Sequence, residues 1–436
     1  MSAASISCVT DEISMYNKTV LKNGIRIISE QIKNLHSVAV GIWVNVGSRD
    51  EDVSDNGVSH FIEHMLFKGT HKRSSFQIAK ELDSIGGHSN AFTAKENTCY
   101  YARVLGKHFT ALSDILSDIL LNSKFDHHDM EREKQVVLQE ISMVEDTPED
   151  NIHILFNRLF WSDHPIGMSI LGTDKTVSGL KKENIIKHIS RFYVPDRVLI
   201  ASAGDLDHKS LVSSFEPYFE SVSDRSESSI ERVVPGCNAG ISVHSKDLEQ
   251  VHICIGAEAP SQTNKKRFAC AILNTILGGN MSSKLFQEVR ENRGLAYSIY
   301  SFVSSYIDTG YLCVYVATDP QNVNPVFDTI QNEIKKMSRG EFSRSDLEAA
   351  KDYLTGSIYL SSENTESRMM RLAKNEFIFG RYIGYDELVS NLEAVTFDEV
   401  VDASKEIFRK DKASLAALGP IKDEDISRSR LDFDLR

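Results

Sequence analysis

His60, Glu63 and His64 are the residues of this chain best placed to do chemistry together. On one helical turn, at about 100° per residue, Glu63 lies about 60° to one side of His60 and His64 about 40° to the other. Two imidazoles one turn apart can chelate a zinc ion, and the carboxylate beside them can hold and deprotonate a water. The order reverses the more familiar His-Glu-x-x-His helix, because the glutamate adjoins the second histidine. Such a pentapeptide also arises by chance, so a third ligand decides the reading.

A catalytic zinc usually takes three protein ligands and leaves a fourth position open. Candidate carboxylates lie in the stretch 129–145, which has no Gly or Pro and carries an apolar stripe of Val136, Val137, Leu138, Ile141 and Val144. That pattern predicts a long helix. Glu133 and Glu140 are two turns apart along it and about 20° apart around it, so both can face one neighbouring site. Most helix glutamates instead sit on a solvated face beside Lys or Arg. Glu140, flanked by Leu138, Ile141 and Val144, lies close to the apolar stripe, where an unpaired carboxylate is costly.

The spacing His60-x-x-Glu63-His64, then 75 residues, then Glu140 resembles the pitrilysin-type inverted-zinc metallopeptidases, the inverzincins. The run from Gly57 to Thr70 is similar to the branch containing the β subunit of mitochondrial processing peptidase and its bacterial relatives. His164-Pro165-Ile166-Gly167, Ile170-Leu171-Gly172-Thr173 and the run Gly278 to Phe286 extend the likeness, which spans residues 17 to 420. It departs at Asn280, where relatives commonly carry a third glycine.

The resemblance implies a zinc metalloendopeptidase acting on extended or unstructured peptides, with one Zn²⁺ per chain held by His60, His64 and Glu140. Glu63 would be the general base, and Glu133 would orient a ligand or the water. Arg290 and Tyr297 would reach towards the scissile carbonyl and stabilise its oxyanion, with Arg293 the nearest rival for the arginine. Read from the residues alone, Arg290 pairs with Glu288 or Glu291 and Tyr297 is a core tyrosine. Asn90, Ala91 and Phe92, with Thr93, would form the sheet edge to which a peptide adds as a strand. The family builds its chamber from four repeats, which implies a homodimer, with Arg290 and Tyr297 facing the partner's zinc. Two alternatives remain: a β-type catalytic subunit active only with a different, non-catalytic partner, and a structural core subunit of a respiratory complex.

The elements that must position these residues come in two sets. Phe125, Asp129, Met130, Glu131 and Lys134 reappear 217 residues later as Phe342, Asp346, Leu347, Glu348 and Lys351, and Phe192 has an echo in Phe408. The strand-like run 38–44 has its counterpart at 251–256. Such self-similarity marks a duplication. The expected fold is α+β: two homologous α/β sandwich domains, each a mostly antiparallel sheet with helices packed on one side. Asn23-Gly24 predicts the first hairpin. In Leu285 to Tyr297 a helix is expected to end at Gly294 and a strand to begin. The expected domains are 14–220 and 239–430, joined by a Ser- and charge-rich linker at 221–238. The second repeat lacks the metal: Ala350 and Ser357 stand where Glu133 and Glu140 would recur, and no histidine follows His252.

A chain of 436 residues exceeds one hydrophobic core. Net charge is −13, from 62 acidic and 49 basic residues, which argues against nucleic acid or an anionic membrane as partner. No apolar run approaches the ~18 residues that a membrane span needs. The first 17 residues hold no Lys or Arg, so neither a secretory signal nor a transit peptide is visible. Six scattered cysteines without a Cys-x-x-Cys pair read as reduced thiols. The expected location is therefore the cytoplasm rather than the mitochondrial matrix.

Overall fold

The computed structural model describes residues 15–162, 164–222, 232–409, 412–426 and 431. Among these residues the first half forms a six-stranded sheet from Met15–Val20 (β1), Arg26–Gln31 (β2), Ser37–Val44 (β3), His88–Thr93 (β4), Thr98–Leu105 (β5) and Val198–Gly204 (β6). The order is β1-β2-β6-β3-β5-β4, with only β2 and β6 parallel. The second half forms a five-stranded sheet from Ile241–Ser245 (β7), Val251–Glu258 (β8), Ala296–Ser305 (β9), Gly310–Thr318 (β10) and Ala413–Gly419 (β11). Its order is β7-β11-β8-β10-β9, with only β7 and β11 parallel. Apart from β1 the two sheets share one topology, and β8 occupies the place of β3. Asn23-Gly24 turns the hairpin between β1 and β2, with Gly24 at φ 99°.

Each sheet packs one face against helices of its own half. Val38, Val40, Ile42 and Val44 join the first core, and Val251, Ile253, Ile255 and Ala257 join the second. The opposite faces are also apolar, which is why β3, β6, β10 and β11 read as nearly continuous hydrophobic runs. Those faces are covered by an exchange of helices. Met369, Leu372 and Ala373, from the helix Thr365–Phe379, pack on Ala39, Trp43, Leu199 and Ala201 of the first sheet. Ile152, Phe156 and Phe160, from the helix Pro148–Phe160, pack on Cys254, Tyr311, Cys313 and Tyr315 of the second. The one-sided packing expected from the sequence is each half's own share, and the other half supplies the second layer.

Within the expected linker, residues 223–231 lie outside the described residues, as do residues 1–14, Cys8 among them, and 427–430. The remaining five cysteines are free thiols, four of them buried. No helix among the described residues is long and apolar enough to cross a membrane.

Candidate metal centre and cleft

The helix Val58–Leu66 begins at Gly57, whose φ of 96° suits glycine alone. A Cβ there would come within 2.7 Å of the Leu171 carbonyl. The buried carboxylate of Glu51 caps the helix start. It accepts hydrogen bonds from the N–H of Gly57 (2.7 Å) and of Ser59 (2.8 Å) and from Asn56 Nδ2 (2.9 Å). Burial pushes its pKa up to about 7, against the pull of these donors. Val58, Phe61, Ile62, Met65 and Leu66 are buried in the first core. That anchoring turns His60 and His64 towards the helix His127–Asp146, which carries the expected carboxylates.

Three donors meet between the two helices. His60 Nε2 and His64 Nε2 are 3.2 Å apart, and Glu140 Oε2 lies 3.7 Å from the first and 3.6 Å from the second. Donors around a tetrahedral zinc with bonds near 2.1 Å stand about 3.4 Å from one another. The triangle therefore fits the ion in size and in donor chemistry. Among the described residues it is the only such cluster of His, Cys, Asp and Glu.

Glu133 does not join the triangle but supports it. Its Oε1 is 2.8 Å from His64 Nδ1, and its Oε2 is 2.7 Å from Lys68 Nζ. With Nδ1–H donated to Glu133, His64 presents the lone pair of Nε2 to the centre. Burial alone would raise the Glu133 pKa, but the hydrogen bonds from His64 and Lys68 outweigh it and hold the carboxyl below its usual range. Burial would likewise lower His64, yet its bond to Glu133 and the charges of Glu140 and Glu133 raise it. Burial, with the charge of His64 adding to it, pushes His60 down to about 4, which keeps that ring neutral and able to ligate. His60 Nδ1 is buried with no hydrogen-bond partner among the described residues, and its ring packs edge-on against that of His64, with centroids 4.6 Å apart.

Glu63 points away from Glu133 to the sheet. Thr93 Oγ1 donates to its Oε2 at 2.6 Å. Burial raises the Glu63 pKa, against the Thr93 bond and the charge of His64. Thr93 ends β4, which among the described residues pairs with β5 alone and so forms an edge of the sheet. Alternation along β4 sets Ala91 and Thr93 on the helix side, while the Phe92 ring packs on the other face, 5.4 Å from Trp43. Asn90 is exposed. A cleft of about 530 Å³ runs along this edge, lined by His60, Glu63, Thr93, Lys95, His153 and Met168 among others.

Arg290 and Tyr297 stand apart from this cluster. The helix expected before Gly294 is a π-helical turn, Phe286–Glu291, in which the Asn292 N–H bonds to the Gln287 carbonyl at 2.8 Å. Gly294, at φ 59°, then leads into β9. The Arg290 guanidinium lies 4.6 Å from the Tyr297 ring centre and 4.8 Å from that of Phe286, with its Nε 3.5 Å from Glu291. Tyr297 is 77% exposed, so the core-tyrosine reading fails. Arg293 faces Glu288. In the second repeat Ala350 is buried, and the Ser357 hydroxyl bonds to the Tyr353 carbonyl.

Three partners escaped the sequence reading. Lys68 follows His64 by four residues, in the turn just past the end of the helix Val58–Leu66, and from there reaches Glu133. Thr93 was assigned to the peptide edge, without its bond to Glu63. Glu51 lies outside the usual capping positions, and only the fold of the loop 52–56 brings it back to the helix start.

The model of the insulinase family, peptidase family M16, matches residues 26–174, and the model of the M16 inactive domain matches residues 179–354. The chain belongs to the M16 peptidase family. Among curated relatives, the uncharacterized zinc protease YmxG of Bacillus subtilis is 38% identical over 93% of this chain and 98% of its own length. An uncharacterized zinc protease of Streptomyces coelicolor is 36% identical over 95% of this chain and 92% of its own. A protease from Helicobacter pylori shares the fold with a TM-score of 0.88, at 20% identity, over 93% of this chain and 100% of that one. An M16 inactive-domain structure from Pseudomonas fluorescens does so with a TM-score of 0.85, at 17% identity, over 93% and 98%. The M16 chain is thus a zinc protease, with zinc as its cofactor.

Proposed function

We propose that this M16 protease is an endopeptidase, cutting extended peptides that add to the edge of β4. The observation that carries the reading is the triangle of His60, His64 and Glu140 with the Glu63 carboxylate beside it. His60, His64 and Glu140 would hold the zinc, which when bound polarises a carbonyl and lowers the pKa of water. Glu63 takes the proton of the attacking water and returns it to the leaving amine. Thr93 holds that carboxylate in place from the strand to which the peptide adds. Glu133 fixes the tautomer and tilt of His64. The free edge of β4 offers backbone partners to an extended chain, which an unstructured peptide can match and a folded domain cannot.

The domains are taken as 14–220 and 239–430, and the working unit as a homodimer in the cytoplasm. Exposure of Tyr297 with Arg290 stacked on it supports their use across a dimer, where they would meet the partner's centre. The test is digestion of a random peptide library by the purified, zinc-loaded chain, read by mass spectrometry. Internal cleavages that vanish with a chelator and return with zinc are expected. A zinc-replete chain that cuts nothing would refute the self-sufficient enzyme, and activity restored only by a different homologous chain would establish the obligate heterodimer.

A further inference from the structure

Three consecutive charged residues, Arg49, Asp50 and Glu51, link the metal helix to the metal-free half of the molecule. They follow Gly47, which packs so closely on the β4–β5 hairpin that a Cβ would fall 2.2 Å from the Ala94 carbonyl. The N–H groups of Ser48 and Arg49 bond to the carbonyls of Ala94 and Lys95 at 3.1 and 2.8 Å. That hairpin directly follows Thr93, the partner of Glu63.

The three side chains diverge. Arg49 is buried, and its guanidinium grips Asp308, in the turn between β9 and β10, at 2.7 and 2.6 Å. It also holds Glu96 at 2.7 Å and the Val233 carbonyl at 2.8 Å. Asp50 takes a two-pronged bond from Arg232, within the expected linker, at 2.9 and 2.8 Å. Glu51 caps the helix that carries His60, Glu63 and His64. Two-pronged arginine–carboxylate bonds fix direction as well as distance.

We propose that Asp308, in the metal-free half, is a positioning residue for the reactive centre: through Arg49 it holds segment 47–51, and through Glu51 the start of the metal helix. The second repeat then has a task besides completing the shape. This rests on reading His60, Glu63 and His64 as that centre, but the first test is independent of activity. Hydrogen–deuterium exchange of the metal-free protein, read by mass spectrometry, is compared for wild type, Asp308→Asn, Arg49→Lys and the control Asp346→Asn. The control breaks a different ion pair of the second half, with Lys284.

Exchange over residues 57–61 is expected to speed at least tenfold in Asp308→Asn and Arg49→Lys, and to stay within twofold in the control. Per zinc-loaded chain, kcat of Asp308→Asn should then fall at least tenfold with KM changed less than threefold, and Asp308→Glu should recover part of the loss. Faster exchange confined to 306–309 and 47–49, with 57–61 unchanged, would overturn the proposal. So would an unchanged kcat per zinc-loaded chain beside a lowered melting temperature. Absence of activity in the wild type would fault the functional reading alone, leaving the exchange result to decide this one.

Discussion

Glu133 offers a sharp test of how the metal centre is held. Glu133→Ala removes two contacts, the 2.8 Å bond to His64 Nδ1 and the 2.7 Å pair with Lys68. Loss of a partner that orients a metal-ligating histidine costs roughly 10–100-fold in metal affinity, which corresponds to about 1.4–2.7 kcal/mol. Glu133→Gln keeps an oxygen for Nδ1–H but not the charge. Charge-assisted bonds are roughly twice as strong as neutral ones, so this variant should lose about half as much free energy, roughly 3–10-fold in affinity. Lys68→Met leaves the His64–Glu133 bond intact on a side chain already one-third exposed, and should change affinity less than about threefold, as partly exposed pairs contribute little. The assay is competition for zinc against a chromophoric chelator at fixed pH, with the melting temperature of the metal-free protein followed in parallel. If Glu133→Ala stays within twofold of wild type, Glu133 does not orient His64. If Lys68→Met matches Glu133→Ala, the ion pair rather than the imidazole bond carries the effect.

Glu63→Gln should keep zinc nearly intact while turnover falls roughly 10²–10⁴-fold; more than a tenth of wild-type turnover would remove Glu63 from the role of base. Glu140→Gln should lower zinc occupancy in elemental analysis, and full occupancy would move the third ligand elsewhere. A chain carrying Arg290→Ala and Tyr297→Phe and a chain carrying Glu63→Gln should each be nearly inactive, yet regain activity when mixed under subunit exchange. Demonstrated exchange without recovered activity would place the pair in cis or outside catalysis. Phe156→Ala, at a fully buried position in the exchanged packing, should cost about 3–5 kcal/mol; both halves should then melt together at lower temperature, and a second-half transition moving alone in calorimetry would contradict their interlocking.

The grouping of His60, His64 and Glu140 was legible because it depends on helical spacing. His60 and His64 at one turn, and Glu133 and Glu140 at two, keep their faces in any helix, so the sequence carries the geometry. The duplication was legible for a similar reason, since Phe125 and Phe342 each stand two residues before an equivalent helix. What the sequence concealed depends on contacts between distant segments. The apolar runs of β3 and β10 signal burial on both faces but not which helix covers the second. The bond from Thr93 to Glu63 depends on where β4 lies beside the metal helix, and Arg49 reads as one basic residue among 49 until Asp308 is folded against it. Arg290 follows a third pattern: the local sequence marked a helix ending at Gly294 and a strand beginning, while the one-residue-longer hydrogen-bond step that makes the preceding segment π-helical has no periodic signature.

The two exchanged helices are themselves equivalent. Pro148 and Thr365, their first residues, stand 217 positions apart, the same offset that relates Phe125 to Phe342. Each repeat therefore lends the same element to its twin and receives the same element back, the reciprocity of a domain-swapped twofold dimer. A single repeat on its own would leave an apolar sheet face open to solvent, so each half is complete only with the other. Carried on one chain, that pairing is permanent, and it holds whether or not the second copy has a metal site.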